Sequence, residues 1–73
     1  MKIYNIVKFS VYANGNGEIN NLLSYKDRKQ AENYINNIIE ETDEVIDYEE
    51  NEFIIYEEYG ETIYIELVES ELK

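Results

Sequence analysis

The chain has 73 residues, with 17 Asp or Glu against 6 Lys or Arg, and its formal net charge is −11. It contains no His and no Cys, which excludes imidazole or thiolate metal sites, catalytic triads built on His or Cys, and disulfide bonds. The negative charge also argues against direct nucleic-acid binding, which requires a basic surface. At this length we expect one domain, spanning residues 1–73.

Apolar residues make up 44% of the chain and include eight Tyr. Disordered acidic segments are poor in aromatic and β-branched residues, so this composition predicts a folded domain. No apolar run reaches the roughly 20 residues of a membrane span, and the N-terminus alternates polar and apolar residues instead of forming a signal-peptide core. These features predict a cytoplasmic protein with no membrane partner.

The first predicted element is a strand over residues 3–12, where polar and apolar residues alternate. The Asn-Gly-Asn-Gly sequence at residues 14–17 predicts a turn, because Asn and Gly tolerate the positive φ that hairpin turns need. A second strand, from residue 18 to about residue 23, is expected to return antiparallel to the first.

A helix is predicted next, over residues 28–41, with Asp27 as its N-cap. Apolar residues recur there at helical spacing and form one stripe: Ala31, Tyr34, Ile35, Ile38 and Ile39. Three asparagines are expected to face water and to lower the intrinsic helix propensity: Asn33, Asn36 and Asn37. Packing against a sheet must therefore hold this helix.

The last third of the chain predicts a hairpin of residues 53–57 and 61–68, closed by a three-residue loop with Gly60 in the left-handed conformation. Residues 45–48 fit either a short strand or a loop. The expected fold class is α+β, with the order ββα(β)ββ. An antiparallel sheet of four to five strands would carry one helix packed on one face.

The three-residue loop implies a particular register for this hairpin. It pairs Ile55 with Ile63 and sets Glu52 opposite Glu66, a destabilising contact between like charges.

Catalytic groups are scarce, because the chain has one Arg, three Ser and no His. Two carboxylates can hydrolyse a glycoside, but a small sheet with one helix rarely forms the sugar cleft required. Residues 43–49 do not match an EF-hand loop, which needs Gly at the sixth position, where this chain has Tyr48. We therefore expect no enzymatic activity, no metal site and no cofactor.

The charge is distributed unevenly: residues 1–29 carry a net +3 and residues 30–73 a net −14. Arg28 and Lys29 lie at the positive end of the predicted helix and Glu40 and Glu41 at its negative end, and each misplaced charge costs about 0.3–1 kcal/mol at low salt. A solvated face that confers solubility is the simpler interpretation. Unrelieved repulsion in a small domain favours a surface kept for a partner.

Tyrosines interleave with these acids, and Tyr is enriched where proteins bind one another. The predicted partner-binding residues are the acids and tyrosines between the end of the helix and the start of the last strand: Glu40, Glu41, Asp43, Glu44, Asp47, Tyr48, Glu49, Glu50, Glu52, Glu57, Glu58, Tyr59 and Glu61.

In small size, AT-rich residue usage, a one-helix antiparallel sheet and a half dense in acids from Glu40 to Glu71, the chain resembles the small acidic DNA-mimic inhibitors that phages direct against CRISPR or restriction nucleases. The resemblance covers the whole chain in general character and matches no motif. It implies a non-enzymatic, anti-CRISPR-like inhibitor that acts in the host bacterial cytoplasm. Its partner would be a Cas effector or another defence protein whose DNA or RNA binding it blocks.

The basic residues Lys26, Arg28 and Lys29 depart from the pattern of a pure mimic and could mark a docking edge. The alternative is an acidic protein–protein interaction module, either antitoxin-like or a homodimeric regulator. In that case an apolar sheet face would pair with a second copy through Ile6, Ile54, Tyr56 and Tyr64. Both a monomer and a homodimer are compatible with the sequence.

Overall fold

The computed structural model describes residues 1–71, which form one helix and five strands. The elements are β1 (Lys2–Val11), β2 (Gly17–Tyr25), α1 (Arg28–Glu41), β3 (Val45–Glu49), β4 (Phe53–Glu58) and β5 (Glu61–Glu71). The strands form one antiparallel sheet in the order β2-β1-β5-β4-β3. This confirms the predicted α+β architecture, and residues 45–48 belong to a strand.

The β1–β2 turn forms where the Asn-Gly repeat predicted it. The Tyr12 amide donates to the carbonyl of Asn16 at 2.8 Å, and the Asn14 side chain accepts from the Asn16 amide at 3.0 Å. Gly15 has a φ of 89°, a conformation that glycine adopts at little cost.

The β4–β5 turn is one residue shorter than the sequence predicted. Glu58 lies opposite Glu61, so the loop consists of Tyr59 and Gly60 alone, with φ values of 51° and 78°. Positive φ at both positions defines a type I′ turn, whose twist matches that of the flanking strands. Gly60 is left-handed as predicted, whereas Tyr59 is a large non-glycine residue in the same region, which is uncommon.

The shorter turn shifts the hairpin register by one residue and so moves each side chain to a different partner. Ile54 lies opposite Ile65 and Ile55 opposite Tyr64, so the predicted pairing of Ile55 with Ile63 is wrong.

The predicted repulsion between Glu52 and Glu66 is wrong for the same reason, because Glu66 lies opposite Phe53. Two like charges do face each other in this hairpin, but they are Glu58 and Glu61 on either side of the turn.

Helix α1 matches its prediction. The Asp27 carboxylate caps it by accepting from the Lys29 amide at 3.0 Å. Its apolar stripe packs on the sheet, where six side chains that are at most 3% exposed form the core: Ile6, Ala31, Ile35, Ile54, Ile63 and Ile65. The remaining stripe residues, Tyr34, Ile38 and Ile39, pack against that core while half-buried.

The prediction that Asn36 faces water is wrong, because its side chain forms hydrogen bonds with Asn51. Its Nδ2 donates to Oδ1 of Asn51 at 2.6 Å, and its Oδ1 accepts from the Asn51 amide at 2.8 Å. Asn51 lies in the β3–β4 loop with a φ of 70°, so this pair ties the loop to the helix. Asn33 and Asn37 are exposed, as predicted.

The two faces of the sheet differ in what covers them. Helix α1 covers the face that carries Ile6 and Ile54, both of them fully buried, and Tyr56 packs against the same core. The predicted dimer face is therefore wrong. Three of its four residues lie under the helix, and only Tyr64, opposite Ile55, points to the uncovered side.

We call the uncovered side of the sheet the open face. By register it carries Ile3, Val7, Phe9, Val11, Ile19, Phe53, Ile55, Tyr64 and Val68, with polar or charged residues at Asn5, Asn21, Ser24, Asp47, Glu49, Glu57, Thr62, Glu66 and Ser70.

Candidate functional site

The eleven acids of the predicted binding surface lie along one side of the molecule, on the C-terminal end of α1, the edge strand β3 and the turns flanking β4. We call this surface the acidic edge: Glu40, Glu41, Asp43, Glu44, Asp47, Glu49, Glu50, Glu52, Glu57, Glu58 and Glu61. All but Glu61 are exposed. The sequence from Gln30 to Leu72 contains no Lys or Arg, so no cation from this stretch relieves their repulsion.

A groove of about 510 Å³ brings part of the acidic edge together. Glu41, Asp43 and Glu44 line it from the end of α1, and Glu57 and Glu58 line it from the end of β4. Chain segments far apart in sequence thus bring five acidic residues to one opening.

The end of α1 at this groove is closed by its own chain. The Thr42 amide and hydroxyl both donate to the carbonyl of Ile38, at 3.1 and 2.7 Å. The last turn of α1 contains no basic residue, so the negative end of the helix dipole adds to the potential of the nearby carboxylates.

A second, smaller groove of about 240 Å³ brings Glu40 of the helix close to Glu50 of the β3–β4 loop. The hydrogen bonds between Asn36 and Asn51 hold that loop against the helix. This end of the acidic edge is therefore ordered by side-chain contacts and not by backbone pairing alone.

The structure does not gather all the predicted residues into one cluster. Asp47 and Glu49 share the open face with Ile55 and Phe53, whereas Tyr48 lies opposite Ile54 on the helix side. The two grooves flank the C-terminal part of α1, since Ile38 and Glu41 line the larger one and Ile39 and Glu40 line the smaller one. Within residues 1–71, no three carboxylates converge in a way that could hold a metal ion.

Both tyrosines predicted for the surface are accessible: Tyr59 is 97% exposed and Tyr48 is 51% exposed. Tyr56, which borders the larger groove, is half-buried. Its burial raises the pKa of its hydroxyl, and the charge of Glu58 and the nearby Tyr34 raise it further.

Sequence reasoning missed one extension of the negative surface. The Tyr12 hydroxyl donates to Glu18 at 2.7 Å, and this bond is the main cause that raises the pKa of Tyr12. Burial, Glu18 and then the charge of Glu61 contribute as well. Predicting this extension requires the order of the strands in the sheet. Pairing of β1 with β5 brings the tips of both hairpins to one end of the sheet.

One basic residue at the start of α1 makes contacts within the molecule. The Arg28 Nε contacts a carboxylate oxygen of Glu32 at 2.9 Å, and its guanidinium lies 5.9 Å from the centre of the Tyr4 ring. Since this ion pair is partly exposed, it contributes little to stability. It does neutralise one of the charges that opposes the helix dipole.

Comparisons of the chain with protein families, with characterised proteins and with solved structures found no match. The helix within residues 1–71 is too short and too polar to cross a membrane.

Proposed function

We propose that the protein is a non-enzymatic inhibitor of the anti-CRISPR or anti-restriction kind. It would occupy a basic nucleic-acid-binding surface of a defence protein and so block the binding of DNA or RNA. The observation that carries this proposal is the acidic edge, with eleven carboxylates of which ten are exposed, in a stretch of chain that has no cation.

The physical basis is electrostatic substitution. Lys and Arg side chains that bind phosphates also form charge-assisted hydrogen bonds with carboxylates. Carboxylates on strands and on a helix end are held in place, so little ordering is needed when a partner binds. Their combined field also accelerates the encounter with a basic protein.

Two features of the β4–β5 turn support the same function. Glu58 faces Glu61 across the turn, a pairing that costs stability. Between them, Tyr59 adopts a left-handed conformation although it is almost fully exposed and fills no core. Strain at an exposed residue is a reason to infer a functional role, and a protruding Tyr suits a contact between proteins.

The experiment is capture of a partner from a bacterial lysate on the immobilised full chain, followed by displacement with a double-stranded DNA oligonucleotide. We expect the captured protein to bind nucleic acid, and we expect both free DNA and salt to release it. Proteins that DNA does not displace would contradict the proposal.

Matched charge reversals identify the surface. The variant Asp43→Lys/Glu44→Lys alters the larger groove, and Glu69→Lys/Glu71→Lys makes the same change in net charge outside the acidic edge. We expect the first to lose capture and the second to retain most of it. Equal losses would show that only net charge matters.

A further inference from the structure

The open face carries an apolar row that the acidic edge does not account for. Across four strands the register aligns Ile19, Phe9, Tyr64 and Ile55. Ile19 is 68% exposed and Phe9 is 38% exposed, so apolar surface remains in water. The opposite face of the same sheet is already covered by α1.

Aromatic contacts make this row a preformed platform. The rings of Phe53 and Tyr64 are stacked with their centroids 5.9 Å apart. The Phe9 ring lies over Gly17, where a Cβ atom would come within 3.1 Å of it. Since these rings are already ordered, little side-chain entropy is lost when a partner packs on them.

The molecule exposes more surface than its size requires. Its accessible area is 5186 Å², whereas a folded chain of this mass is expected to expose about 4,700 Å². An antiparallel sheet can leave one face in water, but that face is then usually polar. The open face of this sheet instead exposes Ile19 and Phe9.

Charge decides what can cover the open face. Four carboxylates share it: Asp47, Glu49, Glu57 and Glu66. In the described part of the chain no base lies on it, because the only bases in the sheet, Lys2 and Lys8, alternate onto the helix side. A second copy would therefore bring carboxylates and no cations, and burying unpaired charge is costly.

We propose that the open face binds an amphipathic, basic helix of the partner protein. The apolar stripe of that helix would pack on the row from Ile19 to Ile55, and its Lys or Arg residues would meet Asp47, Glu49 and Glu66. A helix fits because α1, with 14 residues and a length of about 21 Å, already covers the other face of the same sheet. This inference rests on the proposed function only in taking the partner to be the same basic protein.

The test uses a designed probe that needs no knowledge of the partner. A peptide of Leu and Lys at helical amphipathic spacing is titrated into the full chain, with a peptide of the same composition and scrambled spacing as control. We expect NMR shifts of backbone amides to cluster in the four strands that carry the row, β2, β1, β5 and β4. Shifts confined to the end of α1 and the larger groove, or equal binding of the scrambled peptide, would overturn the inference.

Two exposed isoleucines on the two edge strands provide matched variants. Ile19 is 68% exposed on β2 and Ile46 is 58% exposed on β3, and only Ile19 lies in the apolar row. We expect Ile19→Ser to weaken peptide binding about tenfold and Ile46→Ser to leave it unchanged. Equal effects would place the peptide elsewhere.

Light scattering on the protein alone tests whether a second copy of the chain covers the open face. We expect a monomer, and a dimer that Ile19→Ser dissociates would show that a second copy covers the open face instead. The two proposals can fail separately. If Asp43→Lys/Glu44→Lys retains partner capture while the peptide still binds the open face, the proposed function fails and the docking surface remains.

Discussion

Tyr59 occupies a position that its side chain does not favour. A left-handed backbone is costly for residues other than Gly, and Asn tolerates it better than most. We expect Tyr59→Asn to raise the free energy of unfolding by about 1 kcal/mol, measured by urea denaturation. Tyr59→Ala keeps the backbone strain and should change stability by less than about 0.5 kcal/mol. A stability loss in Tyr59→Asn would mean that the exposed ring contributes to the fold.

Tyr56 links burial to alkaline stability. Burial is the main cause that raises its pKa above the ordinary value of 10.0, with Glu58 and Tyr34 adding to it. The folded protein therefore holds this proton more tightly than the unfolded chain. Its contribution is complete below about pH 10 and is lost as the pH rises through the raised pKa.

The free energy of unfolding, measured with urea, is expected to fall between pH 9 and pH 11. We expect this fall to be smaller for Tyr56→Phe than for the unaltered protein. The raised pKa values of Tyr12 and Tyr64 remain in that variant, so part of the alkaline loss should persist. An identical loss in the two proteins would refute the assignment.

At the scale of elements, the Asn36–Asn51 pair ties α1 to the β3–β4 loop. We expect Asn36→Ala to cost about 1 kcal/mol, because two hydrogen bonds outweigh the better helix propensity of Ala. Asn37→Ala, at an exposed position on the same helix, should instead stabilise by about 0.5 kcal/mol. Thermal unfolding followed by circular dichroism distinguishes them, and effects of the same sign would contradict this view.

Element boundaries were predictable where burial imposes a period on the sequence. Helix α1 occupies the residues that its apolar stripe predicted, whereas the alternation in β1 predicted a strand but not that Ile6 would lie under the helix. The register of β4 and β5 was not predictable in this way. It depends on the φ of Tyr59, and a left-handed Gly60 is equally compatible with a longer loop.

For the molecule as a whole, the sequence identified the acidic residues of the acidic edge but could not arrange them in space. The larger groove requires α1 to end beside β4, and the open face requires the corrected hairpin register. Both depend on contacts between residues distant in the chain. Composition and spacing do not encode such contacts directly.

Net charge also affects the stability of the whole molecule. Repulsion along the acidic edge is screened by salt, since the screening length falls from about 10 Å at 0.1 M to about 3 Å at 1 M. We expect the melting temperature to rise with NaCl, and to rise less for Asp43→Lys/Glu44→Lys than for the unaltered protein. A melting temperature independent of salt would mean that the acids are too dispersed to repel one another.

The central claim is that the acidic edge competes with nucleic acid for a basic site. The most direct measurement is the anisotropy of fluorescent DNA bound to the captured partner as the protein is titrated in, at about 0.1 M and about 0.5 M salt. We expect the protein to displace the DNA at the lower salt, and its own affinity for the partner, measured without DNA, to weaken steeply at the higher salt. Affinity equal at both salts, or protein and DNA bound to the partner together, would contradict the claim.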